Sequence, residues 1–357
     1  MKAETHMPQP RSSQLSRRGM LTAGGALGLT AVLAACGSEK KDGEKTKGGA
    51  AKSGPWRFKD DRGETAKRDA TPENIVAFTG VAAALFDYGI ECKGVFGPTK
   101  TKDGKADVQA GDMDVSKLTV IGNEWGRFSI EKYAGLAPDL LISTMFDAKG
   151  TLWYVPEESS DKILKLAPSV GISVYDRQLT QPLQRILALA ESLGADVESD
   201  KVVKAKKRFE AASERLREVA KAHKDIKVLV GSASQELFYV SGSDLSVDLE
   251  YFKALGVNII EPPKKAKKAS GGWFENLSWE NVDQYDADLI MMDNRTSALQ
   301  PAVLDESKPT WRKLPAVKAG QVIPRVTEPI FSYDKCAPIL EDLADAIEKA
   351  KKLKKSA

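Results

Sequence analysis

Large aromatic side chains and arginines recur in this chain where apolar runs give way to polar ones. Trp125 and Arg127 lie in a Gly-containing stretch after one such run, and Phe146, Trp153 and Arg177 follow others. In the second half Tyr239, the pair Trp273-Phe274, Arg295 and Tyr333 hold comparable positions. Aromatics of this size normally belong to a core, so their gathering in loops points to binding. Ring faces suit the apolar body of a ligand, and a guanidinium group bonds carboxylate-like oxygens. Trp125, Arg127, Trp273 and Arg295 are the strongest candidates, because each stands beside the end of a strand-like run.

Catalysis finds less support. The chain has two histidines, His6 near its start and His223 in the Lys-rich stretch 221–224. That removes His-based triads, His-rich zinc sites and most His-ligated haem from consideration. Gly231-Ser232-Ala233-Ser234 follows a strand-like run but lacks the Gly-x-Ser-x-Gly spacing of a nucleophile elbow. No enzyme is expected, a secreted hydrolase being the remote alternative. A receptor for free metal ions is disfavoured for want of His ligands.

A short unit used twice must position these residues. Ser129, Glu131, Asp139 and Leu140 reappear 149 residues later as Ser278, Glu280, Asp288 and Leu289. In each copy a Ser suited to cap a helix is followed by a Glu in the favoured first turn, then by a brief helix, a turn and a buried strand. Between the copies runs Asp200 to Ala222, with Val202, Ala205, Phe209, Ala212, Leu216 and Val219 at spacings of three and four. That stretch reads as a long helix with one apolar stripe. Strands are expected at 74–78, 92–96, 117–121, 140–143 and 173–175, then at 227–231, 258–260, 289–292 and 321–324. Helices fall between them, at 81–88, 182–193 and 248–255, with a last one at 338–349. Strands alternating with helices predict an α/β class: two Rossmann-like lobes with mainly parallel sheets, joined by a single long α-helix, the ligand cleft between them. Residues 97–114 and 262–272 read as loops.

The amino-terminal residues read as targeting, not fold. Ser16-Arg17-Arg18-Gly19-Met20-Leu21 is a twin-arginine pattern, although Arg17-Arg18 would also serve as the basic end of a Sec signal. The apolar stretch 21–35 ends in Leu33-Ala34-Ala35-Cys36, which resembles a bacterial lipobox and makes Cys36 the lipidated residue. The expected division is a signal at 1–35, a flexible tether at 36–54, a lobe at 55–196, the inter-lobe helix at 197–223 and a second lobe at 224–357. The whole sequence carries 53 basic and 50 acidic residues. Residues 1–35 hold four Lys/Arg and one Glu, so the remainder balances at 49 of each and gives no reason to expect nucleic acid. Cys92 and Cys336 are expected as free buried thiols rather than a disulfide.

Lipobox, tether, α/β lobe, long helix and α/β lobe together resemble the substrate-binding lipoproteins of ABC importers. Within them the chain is similar to the family with one rigid inter-lobe helix, which serves ferric siderophores, cobalamin and haem. The residues that carry the likeness are Phe128-Ser-Ile-Glu131 with 137–142, and Leu277-Ser-Trp-Glu280 with 286–290. The resemblance implies that Glu131 and Glu280 dock onto arginines of the permease. It implies no cofactor but an Fe(III)-siderophore ligand, hydroxamate types being favoured, with haem or cobalamin as the alternative. It further implies a monomer that works with an ABC permease and its ATPase. Its place would be the outer face of the cytoplasmic membrane, held there by the lipid on Cys36. The long loop at 98–116 departs from the pattern and leaves the rim of the first lobe open to question.

Overall fold

The structure is a computed structural model that describes residues 54–354. The signal, Cys36 and the tether up to residue 53 lie outside the described residues, as does His6. None of the described helices is long and apolar enough to cross a membrane.

Two strands, β1 (Trp56–Lys59) and β2 (Thr65–Arg68), open the described chain as an antiparallel hairpin. Its inward face is only Trp56, Phe58 and Ala66, too little apolar patterning to be read in a stretch this charged. Buried Asp60 fixes the hairpin. It accepts hydrogen bonds from the Arg62 side chain at 2.6 Å and from the Gly171 amide at 2.9 Å.

The first five-stranded sheet is parallel throughout. It contains β3 (Ile75–Phe78), β4 (Gly94–Phe96), β5 (Thr119–Gly122), β6 (Leu140–Met145) and β7 (Ser169–Ser173), in the order β5-β4-β3-β6-β7. Every residue of β3, β4 and β6 is buried, the mark of a sheet covered on both faces. Strand β7 lies earlier than the expected 173–175, because its serines and glycine hide the inward pair Val170 and Ile172.

The second sheet contains β8 (Val228–Ala233), β9 (Leu237–Ser241), β10 (Phe274–Ser278), β11 (Leu289–Asp293) and β12 (Val322–Arg325), in the order β10-β9-β8-β11-β12. Its β8, β11 and β12 run parallel, whereas β9 and β10 are antiparallel additions, so this sheet is mixed. The β8–β9 hairpin takes the edge of β8 from Gly231 onward. Only a single bridge, Val228 to Ile259, then remains of the strand expected at 258–260. Gly231 is required here, since a Cβ would stand 2.4 Å from the Phe238 ring.

The helix Asp200–Ala222 joins the two sheets with the bounds its stripe predicted. The last helix begins at Tyr333, earlier than the expected Pro338. Ser332 caps it by accepting the Lys335 amide at 3.2 Å, and Pro338 is carried inside. This helix lies along the long one, pairing Glu341 with Arg208 and Asp345 with Arg215, both at 2.6 Å. One core cluster runs from the first sheet through both helices to one face of the second sheet, and a smaller one fills that sheet's other face around Trp311.

The repeated unit keeps its acidic residue for the same task in both copies. Asp139 accepts the Asn74 amide at 3.0 Å just before β3, and Asp288 accepts the Lys227 amide at 2.8 Å just before β8. The helices differ: Ile130–Gly135 is α-helical, and Trp279–Gln284 is a tighter 3-10 turn.

Candidate functional site

A cavity of about 670 Å³ opens where the carboxyl ends of strands from the two sheets face each other. Its wall is aromatic. Trp125 and Phe146 each stand 4.7 Å from Trp153, measured between ring centroids, and Phe146 reaches across to Trp273 at 6.3 Å. Tyr239 and Phe274 add an edge-to-face pair at 5.1 Å. Trp125 is 61% exposed, which is unusual for an indole and leaves a face open to the cavity mouth. Tyr154 supports this wall with a backbone φ of 61°, a strained value for a bulky side chain, and packs its ring against Trp125 and Phe78.

The floor is charged, with two arginines facing three carboxylates. Arg295 donates through Nε and Nη2 to Asp293, the latter contact at 2.7 Å, and through Nη1 to Glu328 at 2.6 Å. Burial works against the Asp293 carboxylate, yet its bonds to Arg295 outweigh that and hold its carboxyl below the usual range. Arg325 makes a two-point pair with Asp248 at 2.8 and 2.9 Å, both residues buried. Ser232, from the Gly-Ser-Ala-Ser stretch, lines the same floor and donates to Asp293 at 2.9 Å. Among the described residues the one histidine is His223, at the carboxyl end of the long helix. The group beside the Ser232 hydroxyl is therefore a carboxylate, not an imidazole.

Seven of the ten expected ligand contacts line this cavity: Trp125, Phe146, Trp153, Tyr239, Trp273, Phe274 and Arg295. Three do not. Arg127 is exposed outside it, because the 122–127 loop folds back until the Arg127 carbonyl occupies the space beside Gly122. Arg177 follows Asp176, which turns the chain with φ of 50°, and borders a neighbouring surface hollow with Arg62 and Tyr175. Tyr333 is buried at the start of the last helix, edge-on to Phe209 at 5.5 Å, and the cavity takes Phe331 in its place. Sequence reasoning missed Arg325, Asp248, Asp293 and Glu328. A signal was present for two of them, since Asp293 and Arg325 are charged residues that end otherwise apolar strands.

The loop at 98–116 does not line the cavity but reaches the second half of the chain beside it. Gln109 donates to Glu328 at 3.0 Å, and Asp107 accepts from Thr296 at 2.8 Å. Glu131 and Glu280 are both exposed, each in the first turn of its short helix. Neither residue lines the cavity. The Glu280 carboxyl is held below its usual range by its own backbone amide and the Ser278 hydroxyl. Cys92 and Cys336 are free and buried, and burial pushes the Cys92 thiol up to about 12.

The periplasmic binding protein family model matches residues 76–324. A solved structure of DesE, a ferric-siderophore receptor protein from Streptomyces coelicolor, is 69% identical, with a TM-score of 0.82 over 84% of this chain and 100% of that one. The siderophore periplasmic binding protein from the fuscachelin gene cluster of Thermobifida fusca is 22% identical, with a TM-score of 0.54 over 78% of this chain and 97% of its own. FhuD2 from Staphylococcus aureus, solved with bound ferrioxamine B, is 20% identical, with a TM-score of 0.51 over 77% and 98%. These last two speak for the fold alone. No curated protein matches the sequence.

Proposed function

The chain belongs to the periplasmic binding protein family, and from that premise we propose that it captures a ferric siderophore in the inter-lobe cavity for delivery to an ABC permease. The observation that carries this is the aromatic wall, which continues from Trp125 through Trp153 and Phe146 to Trp273 on the opposite side. The ferric-siderophore receptor that is 69% identical supports the same reading. Hydroxamate siderophores fit best. A ferric tricatecholate is a trianion and calls for unpaired cations, but both arginines of the floor are held by carboxylates. In this reading Cys36 carries the lipid anchor, after export by the twin-arginine or Sec route. Glu131 and Glu280, remote from the ligand, meet the permease.

Tryptophan-quenching titrations against ferrioxamine, a ferric catecholate, haemin and cobalamin test the ligand. Saturable quenching by ferrioxamine is expected, and no response to any iron chelate would refute the siderophore reading. Charge reversal at Glu131 and Glu280 together is expected to leave ferrioxamine affinity intact while uptake through the permease is lost. Unimpaired uptake by that double variant would remove the docking role.

A further inference from the structure

Taking the cavity as the ferric-siderophore site, we propose that it sorts complexes by net charge, preferring those with a pendant cation and disfavouring those with a pendant carboxylate. Three groups of charge line it. The Arg325–Asp248 pair is neutral as a unit, with its two hydrogen bonds buried. The group around Arg295 is not: Asp293 and Glu328 share one guanidinium, which leaves one negative charge over. At the rim Asp147, Glu157 and Lys149 add another net negative charge, and none of the three forms an ion pair within 4 Å among the described residues. Five carboxylates against three cations give the lining a formal charge of −2.

Asp147 is fixed in that state. Burial acts against its charge, but bonds from Thr151 and from the Lys149 and Gly150 amides hold its carboxyl below the usual range. The iron centre of a trishydroxamate complex is itself neutral, since three hydroxamate anions offset Fe(III). The charge that distinguishes one such complex from another therefore sits on its tail. A tail leaving the aromatic wall meets the rim carboxylates, where low-dielectric walls strengthen the attraction or repulsion. The wall then serves the shared body of these ligands, and the rim charge decides among their tails.

The test uses one linear trishydroxamate scaffold with three tails: the free ammonium of ferrioxamine B, its N-acetyl form and its N-succinyl form. Dissociation constants come from tryptophan quenching of the purified protein at low and at high salt. The ammonium form is expected to bind about tenfold more tightly than the succinyl form at low salt. The acetyl form should fall between, and the gap should close as salt screens the rim. Glu157→Lys is expected to narrow or invert the gap. Equal constants for the three tails, a gap indifferent to salt, or tightest binding of the succinyl form would each overturn the charge proposal. Failure of all three to bind would instead overturn the ferric-siderophore reading on which it rests.

Discussion

Arg325 and Asp248 show how much of the cavity depends on single side chains. Their guanidinium–carboxylate contact is buried, and removing one partner strands the other's charge away from water. Arg325→Met is expected to lower unfolding free energy by about 3–5 kcal/mol in urea denaturation. The double variant Arg325→Met/Asp248→Leu should lose much less, because no charge is left unpaired. The neighbouring Arg295 makes stability depend on pH in a definite direction. The Asp293 carboxyl titrates lower in the folded state than in the unfolded chain, where about 3.9 applies. Its contribution is therefore present above that value and is lost as pH falls through the folded value. Urea midpoints of the native protein and Arg295→Gln should differ by a constant amount from pH 7 to 5 and converge below about pH 4. A gap that widens in acid would contradict this assignment.

At the scale of the elements, the two acidic residues of the repeated unit lock the starts of two strands by the same pair of contacts. The amides of Asp139 and Asp288 also bond the carbonyls of Asn74 and Lys227, closing each lock from both sides. Asp139 pairs with Arg68 and remains 21% exposed, whereas Asp288 is 4% exposed and holds Lys227, Lys352 and Leu353 together. Asp288→Ala is thus expected to destabilise more than Asp139→Ala, each by about 1–3 kcal/mol, measured by thermal and urea unfolding. Asp was legible as part of a repeat because it has the same backbone task in both copies, whereas of the two serines only Ser129 caps its helix, and Ser278 accepts from the Asn281 side chain instead. The long helix was legible because one stripe of apolar residues faces one partner. Strands β9 and β10 were not, since both are half-exposed, and β10 gains its place only by pairing with β9, far before it in the chain. The same distance hid the floor of the cavity: Asp248 and Arg325 stand 77 residues apart, and nothing local joins them. Arg127 misled for the opposite reason, because its loop turns back over Gly122 and takes the side chain away from the wall.

On the scale of the whole molecule, contacts between the two halves gather at the loop at 98–116 and at the start of the last helix. The loop at 98–116 bridges through Gln109 to Glu328, and the last helix bridges at its start. There Ser332 bonds Asp87, the Tyr333 amide donates to the Tyr88 hydroxyl at 3.2 Å, and Lys335 pairs with Asp112 at 2.6 Å. With a 23-residue helix joining the two sheets, wide hinge closure would break this set of contacts. Ferrioxamine is expected to change the radius of gyration by less than about 1 Å in solution scattering. A strong contraction would show that the halves hinge. Replacing Gln109 by Leu should leave the fold intact and raise mobility in this loop, read as faster amide exchange across 107–113.

The last helix also imposes an order on how the protein comes into being. Its buried face, Cys336, Leu340, Leu343 and Ile347, covers the side of the long helix that carries Phe209 and Leu216. Its first residues tie down the amino-terminal half. This helix is made after the long helix and the amino-terminal half, so a nascent chain that has not yet reached it has an uncovered apolar stripe and two halves without their clasp. The first sheet can assemble during translation, as early domains do, but the cavity cannot take its full shape until the last helix has been made.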